Sequence, residues 1–249
     1  MATIHALSGG GALIDVDIVG AILASDLVGG VSLLALLIIS VQATVVVVRK
    51  HRALNLARYQ NAAFLRACES DGLLETGYAE ACRFLESPLA RLYSTVYSKV
   101  FELHWFRDFD DLEIDQHLAI AQQWIQRSID KAVLEEIARL EKNMIMLGTV
   151  STICPFIGLF GTVWGVLAAF QNIAAGGLAD LTMLAPGIST ALTTTIGGLI
   201  PAIPSVVAYN SFQTQINHLV TEMESYGLDL QAHFQSEIVR RKGMRAGGA

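Results

Sequence analysis

Three long uncharged stretches, residues 27–48, 143–170 and 181–212, divide the chain, and Asp, Glu, Lys, Arg and His all fall outside them. Each is longer than the roughly 18 apolar residues that mark a spanning helix. Residues 27–48 alone make about 33 Å of helix against a hydrocarbon core of about 30 Å. The pattern predicts three transmembrane helices. A cleaved signal peptide is the alternative for the first run, but residues 1–26 hold no Lys or Arg and the apolar core is too long for that role.

Charge sets the orientation. Residues 49–142 hold 13 of the 17 Lys and Arg, and residues 213–249 hold the other 4. Basic residues collect on the cytoplasmic side of a membrane. The expected order is an extracytoplasmic segment 1–26, helix 27–48, a cytoplasmic helical domain 49–142, helix 143–170, a short extracytoplasmic loop 171–180, helix 181–212 and a cytoplasmic tail 213–249. The amino terminus faces out and the carboxy terminus in.

Only Gly72, Gly77 and Pro88 interrupt residues 49–142, so that segment reads as helices with two breaks. From Asp111 onward Ile114, Leu118, Ala121, Ile125, Ile129, Ala132, Leu140 and Met144 recur mostly every three or four residues, an amphipathic helix. No Pro falls between Asp111 and Cys154, which predicts one unbroken rod running into the second span. In the tail, Ile216, Leu219, Val220, Met223, Tyr226 and Leu230 predict an extension of the third helix packed on that rod. Arg240, Arg241, Lys242 and Arg245 are placed to touch anionic lipid or to be solvated. The fold class is therefore an all-α membrane protein, with the second and third helices extended into a helical cytoplasmic domain.

Composition narrows the function. Hydrophobic residues make up 53% of the chain and charged ones 16%, with a mean hydropathy of +0.47. A net charge of -6 argues against a nucleic-acid partner, which needs clustered basic surface. Cys68, Cys82 and Cys154 form no CxxC motif and read as thiols. His104, Trp105 and His117 have no companions at metal-ligand spacing. No nucleophile with its base, no paired carboxylates and no phosphate loop stand at a plausible site, so neither an enzyme nor a cofactor is expected.

The second span carries Gly148, Ser151, Pro155, Gly158, Thr162, Gly165 and Ala169 at alternating steps of three and four, with Phe156, Phe160, Trp164 and Phe170 on its other side. The third repeats the partition: Gly187, Ala191, Thr195, Gly198, Ala202 and Ser205 form one stripe and Ile188, Leu192, Ile196, Leu199 and Ile203 its neighbour. Small stripes let membrane helices approach closely. The hydroxyls Thr162, Thr190, Thr193, Thr194 and Thr195 and the prolines Pro155, Pro186, Pro201 and Pro204 suggest more than packing. Each Pro frees a backbone carbonyl that a neighbour or water must satisfy. A proton path ordinarily uses ionisable side chains within the membrane. These spans have none, so the acid comes from another polypeptide, or nothing titrates, or nothing is conducted.

The run Pro155-Phe156-Ile157-Gly158-Leu159-Phe160-Gly161-Thr162-Val163-Trp164-Gly165, then Ala185-Pro186-Gly187-Ile188 and Ala202-Ile203-Pro204 through Ala208-Tyr209-Asn210, resembles the signature of the MotA/TolQ/ExbB proton-channel family, TolQ and ExbB most of all. The resemblance is dense from Gly148 to Asn210. It implies a pentamer of this chain in a bacterial inner membrane, around a TolR- or ExbD-like single-span partner whose membrane Asp titrates. It also implies a motor driven by the proton motive force, with a TolA- or TonB-like protein as a further partner, serving Tol-Pal function or TonB-dependent uptake.

By the same resemblance Thr162 and Thr195 match the pore threonines of the second and third helices. Thr190, Thr194 and Ser151 complete the expected ion path, while Pro155, Gly158, Gly165, Pro186, Gly187, Ala191, Gly198, Pro201 and Pro204 shape it. One position departs: the family places a Glu five residues before the helix 3 Thr, and here that residue is Thr190. A hydroxyl there leaves sodium open as the coupling ion. A structural scaffold without ion flux is the other alternative.

Overall fold

The computed structural model describes residues 3–7, 13–17, 27–70, 78–79, 81–102, 114–176 and 181–246. Two short strands, β1 (Thr3–Leu7) and β2 (Leu13–Asp17), come first. They pair antiparallel with Thr3 opposite Asp17 and Leu7 opposite Leu13. Both are rich in β-branched residues, and three glycines lie in the sequence between them. This hairpin is the one addition to an otherwise helical fold among the described residues.

Five helices follow: α1 (Leu27–Ser70), α2 (Pro88–Glu102), α3 (Ile114–Glu141), α4 (Met144–Gly176) and α5 (Leu181–Ala246). Three of them, α1, α4 and α5, are long and apolar enough to cross a membrane. The chain divides into two compact units. One comprises Met1–Val48 and Asn143–Asn210, and the other Arg49–Lys142 and Ser211–Ala249. Helix α4 runs to Gly176, beyond the expected end of the second span at residue 170. His104 and Trp105, and the side chains of His117, Arg241, Lys242 and Arg245, lie outside the described residues.

The expected rod is broken. Helix α3 stops at Glu141 and α4 starts at Met144, because Asn143 takes a left-handed φ of 69°. Asn tolerates that region better than most residues. The Lys50 ammonium caps the end of α3, donating to the Leu140 carbonyl and, at 3.1 Å, to the Lys142 carbonyl. Burial holds this lysine below its usual range, and the Glu141 charge offsets part of that effect.

The second unit has its own core. Leu54, Ala57 and Phe64 of α1, Leu89, Leu92, Tyr93 and Val96 of α2, Ile125, Ile129 and Ala132 of α3, and Ile216, Leu219, Met223, Leu230 and Phe234 of α5 are buried. The Phe64 ring lies 6.1 Å from both Tyr93 and Tyr226. Ser87 caps α2 by accepting from the Ala90 N–H at 3.1 Å, with Pro88 at the first helical position. Asn61 is buried and joins three elements. Its Oδ1 accepts from Ser87 Oγ at 2.7 Å and from the Leu89 N–H at 3.3 Å, and its Nδ2 donates to Glu222 at 3.2 Å. Arg91 grips Glu136 with two nitrogens at 2.8 Å each, a bidentate pair across α2 and α3.

Replacing Asn61 by Ala leaves the Leu89 N–H without its acceptor inside the unit. The expected loss is about 1–3 kcal/mol, read as a lower midpoint in thermal unfolding of the purified protein. An unchanged midpoint would contradict the assignment of Asn61 as a hub.

Candidate functional site

Helices α4 and α5 approach until backbone meets backbone, and glycine permits it. A Cβ added to Gly198 would stand 2.5 Å from the Cys154 carbonyl oxygen and 3.0 Å from the Gly158 Cα. One added to Gly158 would meet the Thr194 carbonyl at 3.0 Å and the Thr195 Cα at 3.1 Å. The seam continues in antiparallel register, with Gly165 opposite Ala191 and Ala169 opposite Gly187, where an added Cβ would come within 2.9 and 3.0 Å. The two small-residue stripes therefore face each other within one chain. Bringing the spans together is the first thing they do.

Two hydroxyls sit at the centre of this seam. Thr162 Oγ1 is hydrogen-bonded to Thr195 Oγ1, and also lies 3.0 Å from the Ala191 carbonyl across the seam and 3.1 Å from the Gly158 carbonyl of its own helix. Thr195 Oγ1 lies 3.4 Å from that same Gly158 carbonyl. Four oxygens thus converge in spans that hold no charge. Two of them are hydroxyls, each able to donate one proton and accept others. Both threonines are half-buried, so neither is sealed in the seam. The cluster can hold a proton-bearing group or a desolvated cation by oxygen contacts alone, and it has no group of its own that titrates near neutral pH.

The remaining expected residues divide. Thr194 is buried on the side of α5 next to Thr195, its methyl packed onto Gly161 and its hydroxyl donating to the Thr190 carbonyl at 3.3 Å. Thr190 donates to the Pro186 carbonyl at 2.9 Å. Thr190, Thr194, Pro186, Gly187, Ala191 and Gly165 line a cavity of about 300 Å³ together with Gly161, Trp164 and Asn172, and Gly29 of α1 contributes to its wall. Ser151 joins none of this, since its hydroxyl turns back to the Gly148 carbonyl at 2.8 Å.

Helices α4 and α5 run through Pro155, Pro186, Pro201 and Pro204 without ending, and the buried Ser205 hydroxyl donates to the Pro201 carbonyl at 2.7 Å. Among the described residues no three His, Cys, Asp or Glu side chains could hold a metal ion. Sequence reasoning missed Gly161, Trp164 and Asn172. Gly161, Gly165 and Ala169, each four residues apart, form a small-residue repeat that a search for such spacing finds.

Comparison with known proteins adds to the geometry. Residues 104–225 match the sequence profile of the MotA/TolQ/ExbB proton channel family. The chain is 45% identical to the Tol-Pal system protein TolQ of Haemophilus influenzae over 91 residues, which are 36% of this chain and 40% of that one. It is 38% identical to TolQ of Pseudomonas aeruginosa over 114 residues, 46% of this chain and 49% of that one. The matched stretch thus spans less than half the length of these TolQ relatives. Against the biopolymer transport protein ExbB of Neisseria gonorrhoeae the identity is 30% over 208 residues, 84% of this chain and 92% of the relative.

Proposed function

Because the chain belongs to the MotA/TolQ/ExbB proton channel family, we propose that it is the channel-forming subunit of an inner-membrane motor of the TolQ–TolR or ExbB–ExbD type. Ion flow down the proton motive force is coupled there to an envelope process, either Tol-Pal function or TonB-dependent uptake. The relatives include both a Tol-Pal system protein and a biopolymer transport protein by name, and favour neither process. Five copies of the chain surround a single-span partner, with amino termini outside and the helical domain in the cytoplasm.

One observation carries the reading. The Thr162–Thr195 oxygen cluster lies at the close crossing of two uncharged spans, offering hydrogen-bond donors and acceptors but nothing that titrates. A carboxyl group on the partner's span completes it. When that group is ionised it accepts from a threonine hydroxyl; when protonated it donates to a threonine or carbonyl oxygen. Alternation between the two states carries one proton per cycle from one side to the other, and the chain's own residues hold the carboxyl in place and exclude bulk water. The chain supplies position rather than covalent chemistry, so no catalytic residue is assigned.

Thr190 supports a second reading of the ion. A hydroxyl stands where the family places a Glu, and the Thr162–Thr195 cluster has four oxygens available to sodium. Protons remain the choice, since the matched family is a proton channel family by name. Activity of the assembled complex is therefore expected to persist in sodium-free medium and to vanish when a protonophore collapses the proton gradient. Full activity after collapse of that gradient, with sodium present, would reject protons as the driving ion.

A further inference from the structure

The cytoplasmic helical unit carries two exposed faces that its own core does not use. On α1, Arg52, Leu56, Tyr59, Ala62 and Arg66 are exposed at steps of three and four residues, opposite the buried Leu54, Ala57, Asn61 and Phe64. Residues 49–68 include Arg49, Lys50, Arg52, Arg58 and Arg66 and no Asp or Glu, so this face is basic throughout. Tyr59 is 74% exposed. Lipid does not explain it, because Tyr59 lies about 16 Å along the helix past the apolar run, beyond a headgroup layer of about 5–8 Å.

The second face is a groove of about 360 Å³ between α3 and α5, walled by Ile129, Val133, Leu134, Gly227 and Leu228 and rimmed by Asp130 and Glu224. Leu134 and Leu228 are 66% and 64% exposed. The helices close on each other here because residue 227 has no side chain, an added Cβ coming within 2.8 Å of Ile129 Cγ2. No Lys or Arg lines the groove. The nearby Lys131 is engaged by Glu135 at 3.8 Å, and Asp229 adds further negative charge beside Leu228.

We propose that these faces are the two halves of one contact between copies of this chain: the basic face of α1 on one copy seats in the acidic α3–α5 groove of the next. Tyr59 enters the apolar floor between Leu134 and Leu228, and Arg58 and Arg66 meet Asp130 and Glu224. An aromatic anchor flanked by arginines is the composition that dominates protein contacts. The two faces share no residue, so the contact is head to tail and each copy offers one of each. Repetition by a rotation that divides a full turn closes a ring. The inference rests on the homo-oligomer in the reading above and names the surfaces that build it.

The test combines Tyr59→Cys with Leu228→Cys in a chain also carrying Cys82→Ser, oxidised in membranes. The double variant is expected to give a ladder of disulfide-linked multimers and each single variant none. Asp130→Lys with Glu224→Lys is expected to lower the cross-linked fraction about fivefold, and adding Arg58→Glu with Arg66→Glu to restore it. An oligomer intact by native mass but without the 59–228 cross-link overturns this interface and leaves the channel reading standing. Dimers from Tyr59→Cys alone overturn the head-to-tail geometry. A chain that is monomeric in membranes overturns both.

Discussion

Thr195→Val is expected to slow ion flux through the assembled complex about 10- to 100-fold while leaving its spans packed. Valine has the shape of threonine without the hydroxyl, so the seam with Gly158 keeps its close fit. Thr162 retains the Gly158 and Ala191 carbonyls as acceptors, no donor is orphaned, and the stability cost stays below about 1 kcal/mol. What is lost, on the reading proposed above, is a hydrogen bond to a group whose charge changes during transport. Such a bond contributes about 1.5–3 kcal/mol, which is about 10- to 100-fold in rate. Proton uptake into proteoliposomes, measured beside native mass of the same particles, separates the two effects. Unchanged flux in an intact assembly would leave the threonines a packing role only.

The second large effect is steric. Gly198→Ala is expected to lower the unfolding midpoint by several degrees or to abolish assembly, because the new methyl lies 2.5 Å from the Cys154 carbonyl and 3.0 Å from the Gly158 Cα. Both obstacles are backbone, so no rotamer relieves the clash and the helices must separate. Overpacking of this kind costs about 1–3 kcal/mol or more. Gly148→Ala is the control. Its methyl would lie 3.6 Å from the Tyr209 ring, an ordinary contact, and its midpoint is expected to stay at that of the parent. Equal effects at both positions would mean that the crossing at Gly158 and Gly198 is not the tight point of the seam.

The parts of this fold that rest on periodicity were legible in the sequence. Uncharged runs mark the three spanning helices, and the small stripes mark the faces on which α4 and α5 meet. Ile216, Leu219, Met223 and Leu230 show by their spacing the buried side of α5. The break at Asn143 was not legible. Leu140 and Met144 are both buried and keep the helical period across it, while the lysine that caps α3 comes from residue 50, far away in sequence. Asn61 was hidden for the same reason, since its partners Ser87 and Glu222 lie in other helices. At the site, pattern reasoning brought out Thr162 and Thr195. It could not tell that Thr194 packs onto Gly161, nor that Ser151 bonds within its own helix, because spacing gives a face and not a contact.

The same limit bears on the stripes. Their composition suits either helix packing or a lined space, and the geometry gives them both uses. Most of their length closes the seam, while the Thr162–Thr195 oxygens stay half-open and a cavity remains beside Thr190 and Thr194. Small residues make both possible, since the close approach that buries glycine against glycine also brings carbonyls of one helix within reach of hydroxyls on the other.

Proton flux compared between proteoliposomes holding this chain alone and holding it with a co-purified single-span partner tests the account most directly. The chain alone is expected to be silent and the complex to conduct, with flux lost again when the partner's membrane Asp is changed to Asn. Equal flux from the chain alone would mean that the acid is not borrowed, and the role given to the two threonines would fall with it.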